Sequence, residues 1–436
     1  MYRELIGELA AWKDRADRKP LIIRGARQVG KTWLMKEFGD KYYAKTYYIN
    51  FENNETLKGI FERDINPSTV IPNLELYLGE KIDAEASLLI FDEIQEVPRA
   101  LTSLKYFCED APEYNIICAG SLLGVALHQG TSFPVGKVEF LSLYPLSFTE
   151  FLMATGKEQF AGLIKDGNFD TVSRFRDIYI AALKSYYYIG GMPEVVADFA
   201  KNADYERARE IQTRILDAYG QDLSKHAPSQ IIPRIRMIWD SIPAQLSKEN
   251  KKYIYGLIKE GARAKDFELA LLWLCDCGLT YRINRVTAPR IPLKAYEDFK
   301  AFKLFVLDVG LLSCMVSLDS ATLLNGNTLF SEFKGALTEQ FVAQQIMRMK
   351  GPDLFYWTND KGSAEIDFLT SVAVDPIPIE VKAEENLRAK SLKTFREKFE
   401  PKTSVRVSMS DFRIDGDLIN LPLYAIEALP KAVAKK

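Results

Sequence analysis

The stretch Arg24-Gly25-Ala26-Arg27-Gln28-Val29-Gly30-Lys31-Thr32 decides the fold of the first part of this chain. An apolar run at residues 21–23 precedes it, and a run of helix-forming composition at residues 33–38 follows it. Two glycines separated by four residues and followed by Lys-Thr, between a short buried strand and a helix, form the pattern of a phosphate-binding loop. The alternative is an ordinary glycine turn, which would need the strand, the spacing and the Lys-Thr pair to coincide by chance.

Each residue type in this loop has a chemical reason. Gly25 and Gly30 let the backbone curl so that successive N–H groups point at an anion, and the following helix adds the positive end of its dipole. Lys31 is placed to reach the β- and γ-phosphates, and the Thr32 hydroxyl to bind Mg²⁺. The residues predicted to bind the nucleotide are Gly25, Ala26, Arg27, Gln28, Val29, Gly30, Lys31 and Thr32.

The composition is that of a globular protein without a global basic field. The chain has 436 residues, of which 47% are hydrophobic and 27% charged, and its net charge is -2. This length is enough for about three domains. A neutral balance gives no general attraction to nucleic acid, although a local basic patch remains compatible with it.

The cysteine and histidine content narrows the classes of function. Five cysteines, an odd number, lie mostly in apolar runs, which fits reduced thiols better than a disulfide framework. Cys275-x-Cys277 lacks the second pair that a zinc site needs, and two histidines disfavour a histidine-based triad. We find neither a signal-peptide pattern nor an apolar run of bilayer length, so we expect a cytoplasmic protein with no membrane partner.

A second decisive stretch is the apolar run 86–91, which ends in Asp92 and Glu93. Such a run is expected in a parallel sheet that is covered on both faces. Ligands of open α/β sheets bind beyond the carboxyl ends of the strands, so the ends of this strand and the first one should meet at the same phosphates. We predict that Asp92 holds Mg²⁺ and that Glu93 orients and deprotonates the attacking water. The alternative is that both residues only cap the helix that follows.

A further strand is predicted at residues 115–121, and its last residue is Ser121. We predict that Ser121 senses the γ-phosphate and contributes to catalysis, with a simple turn-forming serine as the alternative. Strands are also predicted at residues 45–51 and 137–141. This order of strands is typical of the additional-strand, catalytic-glutamate class of P-loop NTPases.

Five sequence blocks in this chain resemble those of one known family. They are Gly-Ala-Arg-Gln-Val-Gly-Lys-Thr (25–32), Phe-Asp-Glu-Ile-Gln (91–95), Ala-Gly-Ser-Leu-Leu-Gly (119–124), Leu-Tyr-Pro-Leu-Ser-Phe-Thr-Glu-Phe (143–151) and Gly-Gly-Met-Pro-Glu-Val-Val (190–196). Together they resemble the AAA-type ATPases of bacteria and archaea that carry a C-terminal domain of unknown function with a nuclease-like core. The resemblance covers nearly the whole chain and implies ATP as the nucleotide, a winged-helix region and a nuclease-like remainder.

This chain departs from the family pattern at one basic residue. Members often have Gly-Arg where this chain has Gly136-Lys137. If that residue acts on the γ-phosphate, Lys137 keeps the charge but lacks the bidentate geometry of arginine. An ordinary lysine at the start of a strand is the alternative.

We therefore predict an α/β protein with four parts. Residues 1–142 are a parallel-sheet P-loop ATPase core, and 143–224 a helical link or lid. Residues 225–300 are a winged helix, and 301–436 a restriction-nuclease-like α/β domain. Within the link, the glycines at 190–191 predict either a tight turn between helices or a nucleotide-coupled hinge.

The predicted winged helix is locally basic. Helices are expected at 231–246, 249–258 and 264–277, followed by a strand at 279–283. Between residues 225 and 265 nine lysines and arginines face three acidic residues, a balance of +6. This surplus makes residues 225–265 a candidate contact surface for duplex DNA, with Arg263 and Lys265 at the start of the recognition helix. The alternative is that the module only packs against the ATPase domain.

Two short strands near the C-terminus carry a second constellation of charged residues. Asp367 lies in the run 365–369, and Glu380 and Lys382 share one face of the run 378–382. This Asp…Glu-x-Lys pattern resembles the core of restriction-type nucleases. The resemblance implies that Asp367 and Glu380 hold a second Mg²⁺ and that Lys382 steadies or deprotonates water, with Glu339 adding a carboxylate. Such folds also persist without activity.

Four functions remain open at this point. The leading one is an ATP-hydrolysing enzyme; the others are a nucleotide-gated DNA- or protein-binding switch, an ATP-coupled DNA nuclease, and a nuclease-like scaffold for another protein. No arginine finger is identified, since Arg27, Arg99 and Arg263 are equal candidates. An oligomer in which a neighbouring subunit supplies that arginine is compatible with the sequence.

Overall fold

The computed structural model describes residues 1–120, 133–248, 251–325, 331–351, 353–359, 362, 364–372, 375–383 and 390–436. The chain divides into two compact units. The N-terminal unit comprises residues 3–144 and 276–278, and the C-terminal unit comprises residues 1–2, 145–275 and 279–436. The expected sensor Ser121 lies outside the described residues.

The N-terminal unit is built on a parallel sheet. Its strands are β1 (Leu21–Arg24), β2 (Lys45–Asn50), β3 (Ser87–Asp92), β4 (Asn115–Ala119) and β5 (Glu139–Ser142), in the order β2-β3-β4-β1-β5. All neighbouring pairs are parallel. Strands β3 and β4 are buried along their whole length, which explains their continuous apolar sequence. The α/β parallel sheet is confirmed, and β4 lies between the strand of the glycine loop and the Asp-Glu strand.

Helices connect these strands. They are α1 (Leu5–Lys13), α2 (Lys31–Tyr42), α3 (Glu55–Arg63), α4 (Pro67–Leu78) and α5 (Pro98–Asp110). A row of edge-to-face aromatic contacts joins Phe51, Phe61, Phe91 and Phe107 in the core. These rings hold β3 against α3 and α5, and so fix the end of β3, where Asp92 and Glu93 lie.

The C-terminal unit begins with helices. They are α6 (Phe148–Ala154), α7 (Glu158–Asp166), α8 (Phe169–Arg174), α9 (Arg176–Ile189), α10 (Pro193–Asn202), α11 (Tyr205–His226), α12 (Ile232–Leu246) and α13 (Ala264–Asp276). Helix α6 starts with a capping box in which Ser147 and Glu150 satisfy each other's backbone N–H groups.

The rest of this unit combines a mixed sheet with helices. Its elements are β6 (Thr280–Val286), β7 (Glu297–Val306), α14 (Val309–Met315), α15 (Ser320–Asn325), α16 (Ser331–Met347), β8 (Phe355–Thr358), β9 (Glu365–Val372), β10 (Asp375–Val381), α17 (Lys390–Phe399), β11 (Ser404–Ser408), β12 (Arg413–Asp415), β13 (Leu418–Pro422) and α18 (Leu429–Ala434). The strand order is β12-β13-β11-β10-β9-β8-β6-β7.

The β6–β7 hairpin joins this sheet, because β6 pairs in parallel with β8. The predicted limit between a winged helix and a nuclease-like domain, at residues 300 and 301, therefore falls inside β7. The strand predicted at 279–283 in the winged helix overlaps β6, which lies in the same sheet as the strands that carry Asp367 and Glu380.

The helix expected over 249–258 is wrong for the described residues 251–258, which contain one short 3-10 turn at Tyr255–Leu257. The chain is extended here because its backbone bonds to other elements. The Tyr253 amide donates to the Phe302 carbonyl at 2.8 Å, and the side chain of Gln245 bonds to both the amide and the carbonyl of Ile254. These tertiary contacts replace the helical hydrogen bonds that local composition favours.

The two glycines after α9 form a tight turn with no room for side chains. Gly190 has a φ of 73°, and a Cβ atom there would lie 2.0 Å from Asp308 Oδ1. A Cβ atom on Gly191 would lie 2.2 Å from the Leu146 carbonyl oxygen. The Gly191 amide donates to Asp308 Oδ2 at 2.6 Å, so this turn is locked to the start of α14.

Candidate functional site

The glycine loop has the curled backbone that an anion site needs. Gln28 has a φ of 65° and Gly30 a φ of 91°. Gly25 has a φ of 155°, and a Cβ atom there would lie 2.3 Å from the Leu143 carbonyl oxygen. Only glycine fits the first position, because the chain leaving β5 passes directly against the loop.

The ammonium group of Lys31 is folded into the loop. Its Nζ donates to the Gly25 carbonyl at 2.9 Å and to the Ala26 carbonyl at 2.8 Å, and the residue is buried. A buried cation beside a curled backbone at the start of α2 is the donor set that fits a polyphosphate.

A hydrogen bond joins the residue that ends the glycine loop to the Asp-Glu strand. The Thr32 hydroxyl donates to Asp92 Oδ2 at 2.6 Å, and the Glu93 amide donates to Asp92 Oδ1 at 3.1 Å. Asp92 is 3% exposed. A hydroxyl and a carboxylate side by side at the strand ends are the oxygen ligands that Mg²⁺ prefers, so these residues fit a Mg²⁺–nucleotide.

Glu93 lies next to this pair in an unusual backbone conformation. Its φ is 50°, in the left-handed region, and its Oε2 accepts a hydrogen bond of 2.6 Å from Gln95 Nε2. Such a conformation costs about 1–3 kcal/mol for a residue with a side chain and is found at functional sites more than elsewhere. The Glu93 side chain makes no capping bond to the following turn at Ile94–Glu96, which speaks against a purely capping role.

Tyr48 is a member of this site that the sequence did not reveal. Its hydroxyl donates to Asp92 Oδ2 at 2.9 Å, and the Lys36 ammonium lies 3.7 Å from the centre of its ring. Burial and the charge of Asp92 raise the pKa of Tyr48, so the phenol stays protonated and acts as a donor. The signal available was the position of Tyr48, two residues before the end of the strand that pairs with β3.

Arg3 is a second residue that sequence reasoning missed. It is 2% exposed, and its guanidinium donates to the Val29 carbonyl at 3.1 Å and to the Tyr144 carbonyl at 2.5 Å. It therefore ties the glycine loop to the last residues of the N-terminal unit. Arg3 is a single arginine just before α1, and its sequence context does not indicate this role.

Other predicted contributors are engaged elsewhere. Lys137 Nζ lies 2.8 Å from Glu109 Oε1 on α5, which favours the ordinary structural lysine. Arg99 donates to the Phe61 carbonyl at 2.9 Å. Arg27 and Arg263 are exposed. None of these arginines is singled out as an arginine finger.

The structure brings the second predicted constellation together in the C-terminal unit. The Val381 amide donates to Asp367 Oδ2 at 2.7 Å, and Lys382 Nζ lies 2.7 Å from Glu380 Oε1. Glu339 of α16 interacts electrostatically with both carboxyl groups. The four residues that the sequence pointed to are thus neighbours on β9, β10 and α16.

Three further charged residues complete what we term the acidic–lysine cluster. Lys251 bonds to Glu339 Oε1, and Lys303 Nζ lies 3.5 Å from Glu339 Oε2 and 2.5 Å from Glu365 Oε1. Lys303 is fully buried in the middle of β7. The members of the cluster are Lys251, Lys303, Glu339, Glu365, Asp367, Glu380 and Lys382.

The charges in this cluster shift one another strongly. Burial alone would raise the pKa of Glu339, but Lys251 and Lys303 outweigh it and lower that pKa. Burial alone would lower the pKa of Lys303, and the neighbouring carboxylates, led by Glu339, reverse the effect and raise it.

The carboxyl groups of Asp367 and Glu380 are less well compensated. Burial, followed by the charges of Glu339 and Glu380, raises the pKa of Asp367 well above its ordinary value. Burial also raises the pKa of Glu380 against the opposing charge of Lys382. Glu380 Oε2 is buried without a hydrogen-bond partner.

No metal centre of the usual kind is preformed here. Among the described residues, no group of three or more His, Cys, Asp and Glu side chains is arranged to hold a metal ion. Lysine ammonium groups lie between the carboxylates instead. The sequence did not indicate that Lys251 and Lys303 belong to this cluster. Lys251 lay in an expected basic surface helix, and Lys303 lay in an apolar run.

The basic stretch 225–265 does not present all of its basic residues to solvent. Lys251 is buried with Glu339 and is withdrawn from the surface. Arg263 and Lys265 are exposed at the start of α13, where the sequence placed them.

The parallel sheet and the glycine loop agree with the first of three family models that match parts of this chain. Residues 17–152 match the family model described as an AAA domain. Residues 180–322 match a domain of unknown function (DUF8612), and residues 334–426 match another (DUF4143). No curated protein matches the sequence.

Several solved structures show partial similarity. A Walker-type ATPase of Pyrococcus abyssi is 15% identical, covers 72% of this chain and 95% of its own, and has a TM-score of 0.45. The Aeropyrum pernix Orc1 protein in complex with DNA is 12% identical, with coverages of 72% and 91% and a TM-score of 0.29. The Thermotoga maritima RuvB Holliday junction branch migration motor is 14% identical, with coverages of 68% and 94% and a TM-score of 0.27.

In the described part of the chain, no helix combines the length and the apolar character needed to cross a bilayer.

Proposed function

We propose that this protein binds Mg²⁺–ATP at residues 25–32 and hydrolyses it. The observation that carries the proposal is the 2.6 Å hydrogen bond from Thr32 to Asp92, which joins the glycine loop to the Asp-Glu strand. Adenine as the base rests on the family resemblance. The bound Mg²⁺ would neutralise charge on the phosphates.

Each residue of this site would have its own role in binding and hydrolysis. The Lys31 ammonium exchanges the carbonyls of Gly25 and Ala26 for phosphate oxygens. Thr32 and Asp92 hold the ion, and Glu93 accepts a proton from the attacking water. Tyr48 positions Asp92 through its hydrogen bond and does not itself touch the substrate.

Replacing Lys31 with alanine tests nucleotide binding. We expect Lys31→Ala to weaken ATP binding about 10- to 100-fold, because a charge-assisted contact of about 1.5–3 kcal/mol is lost. Isothermal titration calorimetry with Mg²⁺ and ATP measures this change. Lys41→Ala, which removes an exposed lysine from the same helix, is the matched control. Equal affinities for all three proteins would refute binding at this loop.

We also propose contact with duplex DNA through the exposed start of α13. Support comes from Arg263, just before the helix, and Lys265, in its first turn, which are both exposed on a chain whose net charge is -2. Contacts to phosphates make binding depend on salt, since each one releases counterions.

The double variant Arg263→Ala/Lys265→Ala tests this surface. We expect its plot of log affinity against log salt to be shallower than the wild-type plot by about two phosphate contacts, or a slope of about 1.8. Fluorescence anisotropy with a labelled duplex provides the measurement. Lys393→Ala/Lys402→Ala removes two other exposed lysines as the control. Binding without salt dependence, or an unchanged slope in the first variant, would count against the proposal.

A second candidate function concerns the acidic–lysine cluster. We propose Asp367 and Glu380 as ligands of a divalent cation, with Lys382 beside them, as in metal-assisted phosphodiester hydrolysis. Support comes from the buried, unpartnered Glu380 Oε2, an oxygen suited to a cation. A plasmid-cleavage assay with Mg²⁺ or Mn²⁺ tests it. Absence of cleavage by the wild-type protein would leave the nuclease-like scaffold as the function of this unit.

A further inference from the structure

We propose that Lys251 is a removable internal cation that closes the acidic–lysine cluster, and that its withdrawal opens a divalent-cation site at Glu339, Asp367 and Glu380. The inference deepens the second candidate function and rests on its assignment of a cation to Asp367 and Glu380. It is independent of the ATP site, which lies in the other unit.

The two buried lysines of the cluster are held in different ways. Lys303 lies within β7, is fully buried, and contacts Glu339, Glu365 and the Asp367 carbonyl oxygen. Lys251 comes from the irregular segment that precedes the turn at Tyr255–Leu257, keeps 8% of its surface exposed and pairs with Glu339. Lys303 is therefore part of the sheet, whereas Lys251 is the lysine that can leave.

The charge balance favours an exchange of one cation for another. Four carboxyl groups face three ammonium groups in the cluster, which leaves one excess negative charge when all are ionised. Without Lys251 the excess becomes two, which is the charge of one divalent ion. An uncompensated buried charge is costly, so loss of Lys251 is compensated either by a proton on a carboxyl group or by a replacement cation.

Glu380 shows where a replacement would gain most. Its side chain is 5% exposed, and Oε2 has no hydrogen-bond partner, whereas Oε1 is paired with Lys382. A buried carboxylate oxygen without a partner loses its hydration without compensation. A hard divalent ion accepts several carboxylate oxygens at once, which a single ammonium group does less well.

This arrangement makes the described conformation a closed state of the site. Glu339 is the shared residue, because Lys251 bonds to it and its charge acts on both Asp367 and Glu380. When Lys251 leaves, Glu339 Oε1 becomes available to a cation, while Oε2 keeps its contact with Lys303. Withdrawal of the Lys251 side chain from Glu339 would thus switch cation binding on.

The direct test is Mn²⁺ binding to the nucleotide-free full-length chain, measured by isothermal titration calorimetry. We expect Lys251→Met to gain one Mn²⁺ site at least tenfold tighter than any seen in the wild type at this cluster. The double variant Lys251→Met/Glu380→Gln should lose that site, which separates it from ions bound at the glycine loop. Lys252→Met, at the exposed neighbouring lysine, is the matched control and should behave as the wild type.

A second measurement needs no variant at Lys251. Amine-reactive labelling of the wild type, followed by mass spectrometry, should show Lys251 labelled several-fold faster at saturating Mn²⁺, with Lys252 unchanged. Equal Mn²⁺ binding by wild type and Lys251→Met would overturn the proposal, as would labelling of Lys251 that ignores Mn²⁺. If ATP turnover fails while these results hold, the ATPase proposal alone is wrong.

Discussion

Replacement of Glu93 by glutamine is expected to lower the rate of ATP hydrolysis by about 10²- to 10⁴-fold, the usual contribution of a general base. The amide keeps the size of the side chain and its contact with Gln95 but cannot accept the proton of the attacking water. Affinity for ATP should stay within a few-fold of wild type, because Lys31 and Thr32 are untouched. Single-turnover hydrolysis beside equilibrium binding separates the two quantities.

Glu96→Gln is the matched control for this experiment. Glu96 is an exposed glutamate three residues further along, and its replacement should leave hydrolysis unchanged. A Glu93→Gln variant that hydrolyses ATP at the wild-type rate would remove Glu93 from the mechanism. A variant that no longer binds ATP would instead show that Glu93 supports the loop.

Replacement of Asp308 by alanine is expected to destabilise the C-terminal unit by about 3 kcal/mol. Asp308 is fully buried and accepts hydrogen bonds from the amides of Gly191 and Leu311 and from Gln344 Nε2, at 2.6, 3.1 and 3.0 Å. Alanine would leave these buried donors without partners. Amide hydrogen exchange at residues 189–193 and 309–313 should become about 10²-fold faster, and the urea midpoint of this unit should fall.

Asp319→Ala provides the control. Asp319 accepts bonds from the amides of Ala321 and Thr322 at the start of α15, but it is exposed. Its loss should cost about 1 kcal/mol, as for an ordinary N-cap. If Asp308→Ala changes the urea midpoint no more than Asp319→Ala does, Asp308 does not lock the turn at Gly190 and Gly191.

The glycine loop and the Asp-Glu strand were predictable because each is a contiguous motif. The spacing of Gly25, Gly30 and Lys31 specifies a local backbone, and the apolar run before Asp92 specifies a buried strand whose end is the site. The sequence pattern Asp…Glu-x-Lys likewise predicted that Asp367 and Glu380 are neighbours, since they lie on adjacent strands.

The residues that were missed act over long separations in the chain. Tyr48 on β2 donates a hydrogen bond to Asp92 on the neighbouring strand β3. Lys251 pairs with Glu339, which is 88 residues further along the chain. Lys303 lies in an apolar run, whose composition does not indicate that a lysine there meets buried carboxylates. Periodicity and local charge indicate which face of a segment is polar. They do not indicate which buried carboxylate a lysine of that segment contacts.

The helix expected over 249–258 was wrong for a related reason. Its composition favours a helix, but Lys251, Tyr253 and Ile254 are each bound to another part of the unit, and those contacts decide the backbone. The strand predicted at 279–283 was assigned to a winged helix because a local pattern cannot show that β6 also pairs with β8.

Release of phosphate from ATP measures whether this protein hydrolyses the nucleotide at the glycine loop. The purified full-length chain is assayed with Mg²⁺ and again after chelation of Mg²⁺, with Glu93→Gln in parallel. We expect steady turnover by the wild type, which disappears on chelation and is nearly absent from Glu93→Gln. Phosphate release by the wild type that is no faster than release by Glu93→Gln, with or without Mg²⁺, would contradict it.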